Sequence, residues 1–172
     1  MNIKEKILEV RTNRDKSANV GYFANRPDAF DELMQCIFNL EEYPYKEYAS
    51  WLLIHISRSK KIDLQPYYTR MVDVLFETTD QTVLRNVSRS LTEMEITDYR
   101  ESEFIDLLIG FIQNYENKVA LQVYSIYLLQ QFVKRYPELK EETIEIIALH
   151  RSGKTVSYKV AERNFLKFVS KL

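Results

Sequence analysis

The stretch DQTVLRNVSRSLTEM, residues 80–94, determines how the rest of the chain is interpreted. Its apolar side chains recur at helical spacing and share one side of a helix, namely Val83, Leu84, Val87 and Leu91. A small residue, Ser88, sits within this apolar stripe, and Arg85 and Arg89 project together one turn apart. The stretch is therefore predicted to be a helix that neighbouring helices approach closely at Ser88.

Three other stretches repeat this pattern at nearly constant distances. Ser50 lies 38 positions before Ser88, and Ser125 lies 37 positions after it. One further step reaches Ala161 or Asn164. A fixed period of this length, with a pair of helices in each period, is typical of an α-solenoid built from stacked repeats.

The composition favours an all-α protein. Of the 172 residues, 45% are apolar and 28% are charged, which is ordinary for a globular domain. Only three glycines and four prolines are present, so little turn chemistry is available for β-hairpins. We expect an all-α, right-handed superhelix of about four helix pairs preceded by one N-terminal helix, about nine helices in all.

Nothing in the sequence points to secretion or to a membrane. Residues 1–10 carry charges among their apolar positions, unlike a signal peptide, and no apolar run has the length of a membrane span. The single cysteine excludes an internal disulfide. We therefore expect a cytoplasmic protein with no membrane partner.

The predicted repeats follow one another along a single domain, residues 1–172. Residues 1–26 are expected to form one capping helix, because Ile3, Ile7, Leu8 and Val10 give one apolar face. The repeats are expected at about residues 28–61, 63–95, 98–136 and 137–172. Within them the predicted helices begin at Pro27 and then cover residues 45–59, 64–78, 80–94, 101–114, 117–135, 137–150 and 155–171, with Asp80 and Thr155 as N-caps.

Several short stretches resemble HEAT-like repeat proteins, in particular small bacterial members of that group. They are Ala49-Ser50-Trp51, residues 84–89, Tyr136-Pro137-Glu138-Leu139 and residues 152–166. The resemblance covers most of the chain from about residue 28 and implies an α-solenoid that serves as a docking surface.

The same superfamily includes DNA alkylation repair glycosylases. That resemblance would imply DNA held in a basic groove, with an aspartate near aromatic side chains of the inner helices. The acidic residues of the inner helices here lie mostly at helix ends, and they are Glu47, Asp80, Glu93, Glu95 and Glu162. None is a mid-helix aspartate, so no catalytic residue is assigned.

The sequence Ser152-Gly153-Lys154-Thr155 is similar to the end of a phosphate-binding P-loop. A P-loop also requires a glycine five positions earlier and a preceding strand. The earlier position is Ala148, and residues 144–149 have a helical pattern. We therefore expect no nucleotide at this loop.

The histidines and the cysteine are expected to have structural roles. His55 and His150 are far apart in sequence, and neither has a cysteine or carboxylate at ligand spacing. Cys36 lies on the apolar stripe of its helix, where a thiol is buried and its pKa is raised. The sequence thus predicts no metal site and no cofactor.

The aromatic residues near the first repeat could stack bases or grip a peptide. Tyr43, Tyr45, Tyr48 and Trp51 lie within nine positions. We expect Trp51 to belong to the core, and Tyr43 and Tyr45, near the turn between helices, to be exposed.

Charge is separated between the two helices of each pair. The outer helices, residues 28–42, 63–78, 98–116 and 137–150, carry a net charge of −14. Their inner partners, residues 46–61, 80–95, 117–136 and 151–172, carry +10, although the whole chain carries only −1. Either the concave inner side is a basic groove, or the layers neutralise each other, for instance through Arg89 and Glu93.

No group of residues suggests catalysis, so we expect a non-enzymatic interaction module that binds an acidic protein, an acidic peptide or a phosphorylated partner. The alternative is nucleic-acid binding, related to the glycosylases named above. The candidate partner-binding residues are Arg85, Arg89, Lys159, Arg163, Tyr45 and Tyr48. The sequence leaves the oligomeric state open.

Overall fold

A computed structural model describes residues 2–12 and 16–172. Over these ranges the chain is helical and contains no strand, so the all-α prediction is confirmed. The ten helices are α1 (Ile3–Thr12), α2 (Lys16–Ala24), α3 (Pro27–Phe38), α4 (Tyr45–Ser59), α5 (Tyr68–Glu77), α6 (Gln81–Leu91), α7 (Glu101–Gln113), α8 (Val119–Arg135), α9 (Lys140–Leu149) and α10 (Val156–Val169). None of them has the length and hydrophobicity needed to cross a membrane.

The helices form two compact units, residues 1–94 and 95–172. The first, unit 1, contains α1 to α6, and the second, unit 2, contains α7 to α10. The organisation of residues 1–172 as a single domain stays a prediction.

In unit 1 the central element is α4, which packs against α1, α2, α3 and α6. Its buried apolar side chains are Ala49, Leu52, Leu53 and Ile56. The second outer helix, α5, packs against α3 and α6. The unit therefore contains two successive helix pairs, α3 with α4 and α5 with α6, and α4 and α6 lie side by side.

The N-terminal region differs from the prediction of one capping helix, because it contains two helices, α1 and α2. Ile3 and Ile7 are buried in α1, but Leu8 is exposed. The buried face of this helix is therefore narrower than the apolar face from which a single helix was predicted. The second helix buries Phe23 instead, and both helices pack on α4. Residues 13–15 lie outside the described residues.

In unit 2, α8 packs against α7 and α10, and α9 contacts all three of these helices. The rings of Phe104 and Phe132 meet edge to face, with centroids 5.7 Å apart, and both side chains are buried. The buried Tyr158 hydroxyl donates a hydrogen bond of 2.9 Å to the Ile147 carbonyl. Burial, followed by the nearby Glu162 and Tyr115, raises the pKa of Tyr158 to about 12.

The repeat register predicted from small residues agrees with the burial. Ser50, Ser88, Ser125 and Ala161 are all fully buried, each in the second helix of its pair. Asn164, the other possible fourth position, is exposed. Ala161 is therefore the residue that continues the series.

Three predicted helices, α5, α8 and α9, begin two to four positions later than expected. Residues 65–67 and 137–139 form single 3-10 turns before α5 and α9, and each turn has a proline within its first two positions. Proline has no N–H and suits a first turn, so the chain tightens there before regular α-helix begins. By contrast, α4 has the predicted bounds, and α3 begins at the predicted Pro27.

Asp80 caps α6 as predicted. Its carboxylate accepts hydrogen bonds from the backbone N–H groups of Thr82 and Val83, at 2.8 and 3.1 Å. Burial acts to raise the pKa of Asp80, but the hydrogen bonds from Val83, with Glu47 and from Thr82 outweigh it. The positive charge of Lys46 adds to them, so the pKa of Asp80 is lowered.

Replacing Asp80 with alanine is expected to lower the free energy of unfolding at pH 7 by about 1 kcal/mol, because two N–H groups lose their acceptor. Asparagine at the same position retains an acceptor and is the matched control. Because the folded-state pKa is lowered, the charge of Asp80 stabilises the fold above the unfolded pKa of about 3.9, and this contribution is lost as pH falls through the folded value. Urea unfolding across pH measures both effects; equal stability of the alanine variant at pH 7 would contradict the cap.

Candidate partner-binding face

The two predicted arginines of α6 share a surface with α4. Half-buried and exposed residues recur at three- and four-residue spacing along one side of each helix. These two stripes, here called the inner face of unit 1, consist of Glu47, Trp51, Ile54 and Arg58 on α4 and of Thr82, Arg85 and Arg89 on α6.

The inner face is held together by polar contacts between the two helices. At one end Lys46 Nζ pairs with Glu47 Oε1 of the same helix at 3.0 Å, and the positive charge of Lys46 also acts on Asp80, the cap of α6. At the other end Lys60 Nζ lies 3.0 Å from Glu93 Oε2. Between them the two stripes therefore lie side by side along the length of α6.

Arg85 is positioned by a buried polar network. Its Nε donates to Asn86 Oδ1 at 3.1 Å, and Asn86 Nδ2 donates to Ser50 Oγ at 3.0 Å. Ser50 Oγ in turn donates to the Glu47 carbonyl at 2.9 Å. Asn86 and Ser50 are fully buried, so the network fixes the direction of the guanidinium group.

Arg85 has no carboxylate within ion-pair distance among the residues that the structure describes. Its Nε is occupied by Asn86, which leaves the two Nη groups as donors. A pair of Nη groups matches the spacing of two carboxylate or phosphate oxygens. Arg85 is therefore arranged to bind an anion in a bidentate manner.

Arg89 differs from its neighbour because its charge is already paired. Its Nη1 donates to Glu93 Oε1 at 2.7 Å and to Thr92 Oγ1 at 2.9 Å. The hydrogen bond from Arg89, followed by that from Lys60, lowers the pKa of Glu93. At Arg89 the structure therefore has the local neutralisation that the sequence left as an alternative to a free basic groove.

Trp51 was predicted to lie in the core, but it is half-buried on the inner face. The core side of α4 is filled by other side chains, and Trp51 projects from a different side. Its ring centroid lies 4.3 Å from that of His55, and Lys16 Nζ, on α2, lies 5.3 Å from it. An indole ring with a cation over it adds a partly apolar contact surface beside Arg85.

The electrostatics around Trp51 are positive. Burial, followed by the charges of Lys16 and Arg58, lowers the pKa of His55. Lys16 and Arg58, the two cations, make this part of the inner face attractive to anions. Lys16 lies on α2 and Arg58 on α4, so α2 contributes to the inner face together with α4 and α6.

The predicted tyrosines do not join Arg85 on one surface. Tyr43 is exposed as expected, but Tyr45 is half-buried, because Lys4 Nζ of α1 lies 4.8 Å from its ring centroid. Lys4 also pairs with Glu41 at 3.0 Å. Tyr45 thus takes part in the packing of α1, and Tyr48 is half-buried in the first turn of α4.

The other predicted cations, Lys159 and Arg163, lie in unit 2 on α10, where both are exposed. Glu162, between them, is buried near the middle of α10 and not at a helix end. An ion pair of 3.1 Å with Arg151 accounts for this buried carboxylate. Glu162 therefore has a structural role, since it holds Arg151 of the loop before α10 against this helix.

The cysteine, the second histidine and the P-loop-like turn are explained by their packing and their hydrogen bonds. Cys36 is buried, and burial followed by the charge of Glu41 raises the pKa of its thiol. The buried His150 places Nδ1 2.8 Å from the Ile146 carbonyl. No group of three or more potential metal ligands occurs among the described residues. The P-loop-like turn is preceded by α9, a helix in place of the required strand.

Sequence reasoning missed Asn86, Lys16 and Arg58. Asn86 carried a usable signal, because a polar residue inside an apolar helical stripe needs a hydrogen-bond partner. Lys16 carried none, since its position beside Trp51 depends on how α2 packs on α4.

A family model described as a HEAT repeat domain matches residues 4–169. No curated protein and no solved structure matches the chain. The resemblance to HEAT-like repeat proteins is thereby confirmed.

Proposed function

The chain belongs to the HEAT repeat domain family, whose repeats generally mediate protein–protein interaction, and from this premise we propose that the inner face of unit 1 binds an acidic segment of a partner protein. The observation that carries this proposal is Arg85, a guanidinium fixed by the buried Asn86 and without a carboxylate partner in the described residues. A half-buried cation without a counter-charge is stabilised when a partner places an anion beside it.

The surroundings of Arg85 support an acidic peptide segment. Trp51 and Ile54 offer apolar surface on α4, and Lys16 and Arg58 add positive charge at its edge. A carboxylate or phosphate on the partner would bind both Nη groups of Arg85, while a neighbouring apolar side chain packs against Trp51.

The inner face gives little support to duplex binding. Arg89 is neutralised by Glu93, and Glu47 and Asp80 place carboxyl groups at the other end of the face. Duplex DNA would meet these carboxyl groups along with the phosphate-binding cations. Binding of nucleic acid is therefore treated as an alternative outcome of the experiment below.

The test is to capture a partner with the wild-type protein and measure its affinity for Arg85→Glu. Because an anion bound to Arg85 would lose its counter-charge, we expect the affinity to fall by about thirtyfold or more. Arg85→Lys should weaken binding less, since lysine keeps the charge but not the bidentate geometry. Arg89 is left unchanged because its reversal would disturb Glu93 and Lys60 within the fold.

Lys61→Glu is the matched control, since Lys61 is an exposed cation of the same unit outside the inner face. It should bind the partner like wild type, and circular dichroism should show that both variants are folded. Equal losses in the two reversals, or no loss for Arg85→Glu, would overturn the proposal. So would tight binding of plain duplex with a log–log salt slope of about −3 to −4, the value for three or four neutralised phosphates.

A further inference from the structure

Exposed apolar side chains are concentrated in unit 2. Among the described residues, seven large apolar side chains are exposed, and five of them belong to this unit. The five are Tyr115, Leu149, Val156, Leu166 and Leu172. Leu149 and Val156, at 73% and 77% exposed, flank the loop between α9 and α10.

Side chains around that loop lie close together. Lys154 Nζ lies 5.1 Å from the ring centroid of Tyr115, and the Tyr115 ring lies 5.4 Å from that of His150. Both Lys154 and His150 belong to the loop that Leu149 and Val156 flank. Apolar and cationic groups therefore occur together at the start of α10.

The same combination continues along α10 as a stripe, here called the outer stripe. Each later member follows an earlier one by three or four positions, and Leu166 and Lys167 both follow Arg163; the members are Val156, Lys159, Arg163, Leu166 and Lys167. All are exposed, whereas Tyr158, Ala161 and Phe165, which recur with the same period on the opposite side, are buried.

The cations of the outer stripe have no counter-charge in the described part of the chain. Lys159, Arg163 and Lys167 make no side-chain ion pair or hydrogen bond there. In contrast, Arg151, in the adjoining loop, is paired with Glu162. Cations one turn apart repel each other, so an acidic partner would relieve a repulsion as well as add contacts.

We propose that the outer stripe of α10 binds a helix of a partner protein that carries both acidic and apolar side chains. The stripe has the residue spacing through which helices pack on each other, and α10 already packs on α8 with its opposite side. Apolar groups of the partner would cover Val156 and Leu166, and its carboxylates would pair with Lys159 and Arg163.

A helix fits this surface better than an acidic lipid membrane does. The cations stand between Val156 and Leu166, whereas a helix lying in a membrane surface keeps cations on a separate polar face.

The test uses a display library of 18-residue helical peptides selected for binding to the wild-type protein. We expect the selected peptides to combine leucine-like residues at helical spacing with Asp or Glu beside them. Arg163→Glu should weaken their binding at least about tenfold, because the reversal replaces an attraction by a repulsion. Lys134→Glu, which reverses an exposed cation near the end of α8, is the matched control and should leave binding unchanged.

Any of the following results would overturn the proposal. Failure to select any helix, selection of peptides without acidic enrichment, or binding insensitive to Arg163→Glu would show that the outer stripe is ordinary surface. Wild-type binding to vesicles with about one third phosphatidylserine, lost in Arg163→Glu, would assign the stripe to a membrane instead. Arg85→Glu lies in unit 1 and should leave the selected peptides bound, so the two proposals can fail separately.

Discussion

Replacing Phe132 with alanine is expected to lower the free energy of unfolding by about 3 to 5 kcal/mol, the largest effect among the substitutions considered. Phe132 is fully buried on α8, and its ring meets that of Phe104 edge to face. Alanine removes both the buried apolar surface and the aromatic contact, and it leaves a cavity between α7 and α8. Urea unfolding followed by circular dichroism measures the loss.

Phe132→Leu is the matched control for this prediction. Leucine retains most of the buried volume but not the ring, so its cost should be clearly smaller than that of alanine. If both variants unfold within about 1 kcal/mol of wild type, Phe132 is not the close-packed core residue that its burial implies.

Ser125→Leu is expected to lower the free energy of unfolding by about 1 to 3 kcal/mol, because a larger side chain must enter a closely packed site. Ser125 is fully buried on α8, at the small-residue position of the repeat. The corresponding positions on the second helices of the other pairs are also fully buried, which supports a tight fit at Ser125. They are Ser50, Ser88 and Ala161.

Ser125→Ala separates size from polarity at this site. The serine hydroxyl donates to the Leu121 carbonyl at 2.9 Å, a bond within its own helix, and its loss should cost less than the overpacking does. Thermal unfolding of both variants makes the comparison. An unchanged melting temperature for the leucine variant would mean that the site has room and that the repeat register does not reflect close packing.

The sequence by itself determined the all-α class and the order of the helices from α3 onward. The bounds of α4 follow from apolar spacings of three and four positions within one helix, and the starts of α3 and α6 follow from a proline and a capping aspartate. The buried small residues follow from the repeat along the chain. The pairing of Arg89 with Glu93 is of the same kind, because side chains four positions apart on a helix are neighbours in any fold.

Only the tertiary structure decided which of these side chains can meet a partner. Arg85 is fixed through Asn86 by Ser50, 36 positions from Asn86, and Lys16 reaches Trp51 from another helix. The exposure of Trp51 and the separate burial of α1 and α2 likewise depend on which helices cover α4. Helical periodicity fixes the side of its own helix on which a residue lies, whereas its burial and its charge partner depend on the helices packed against that side.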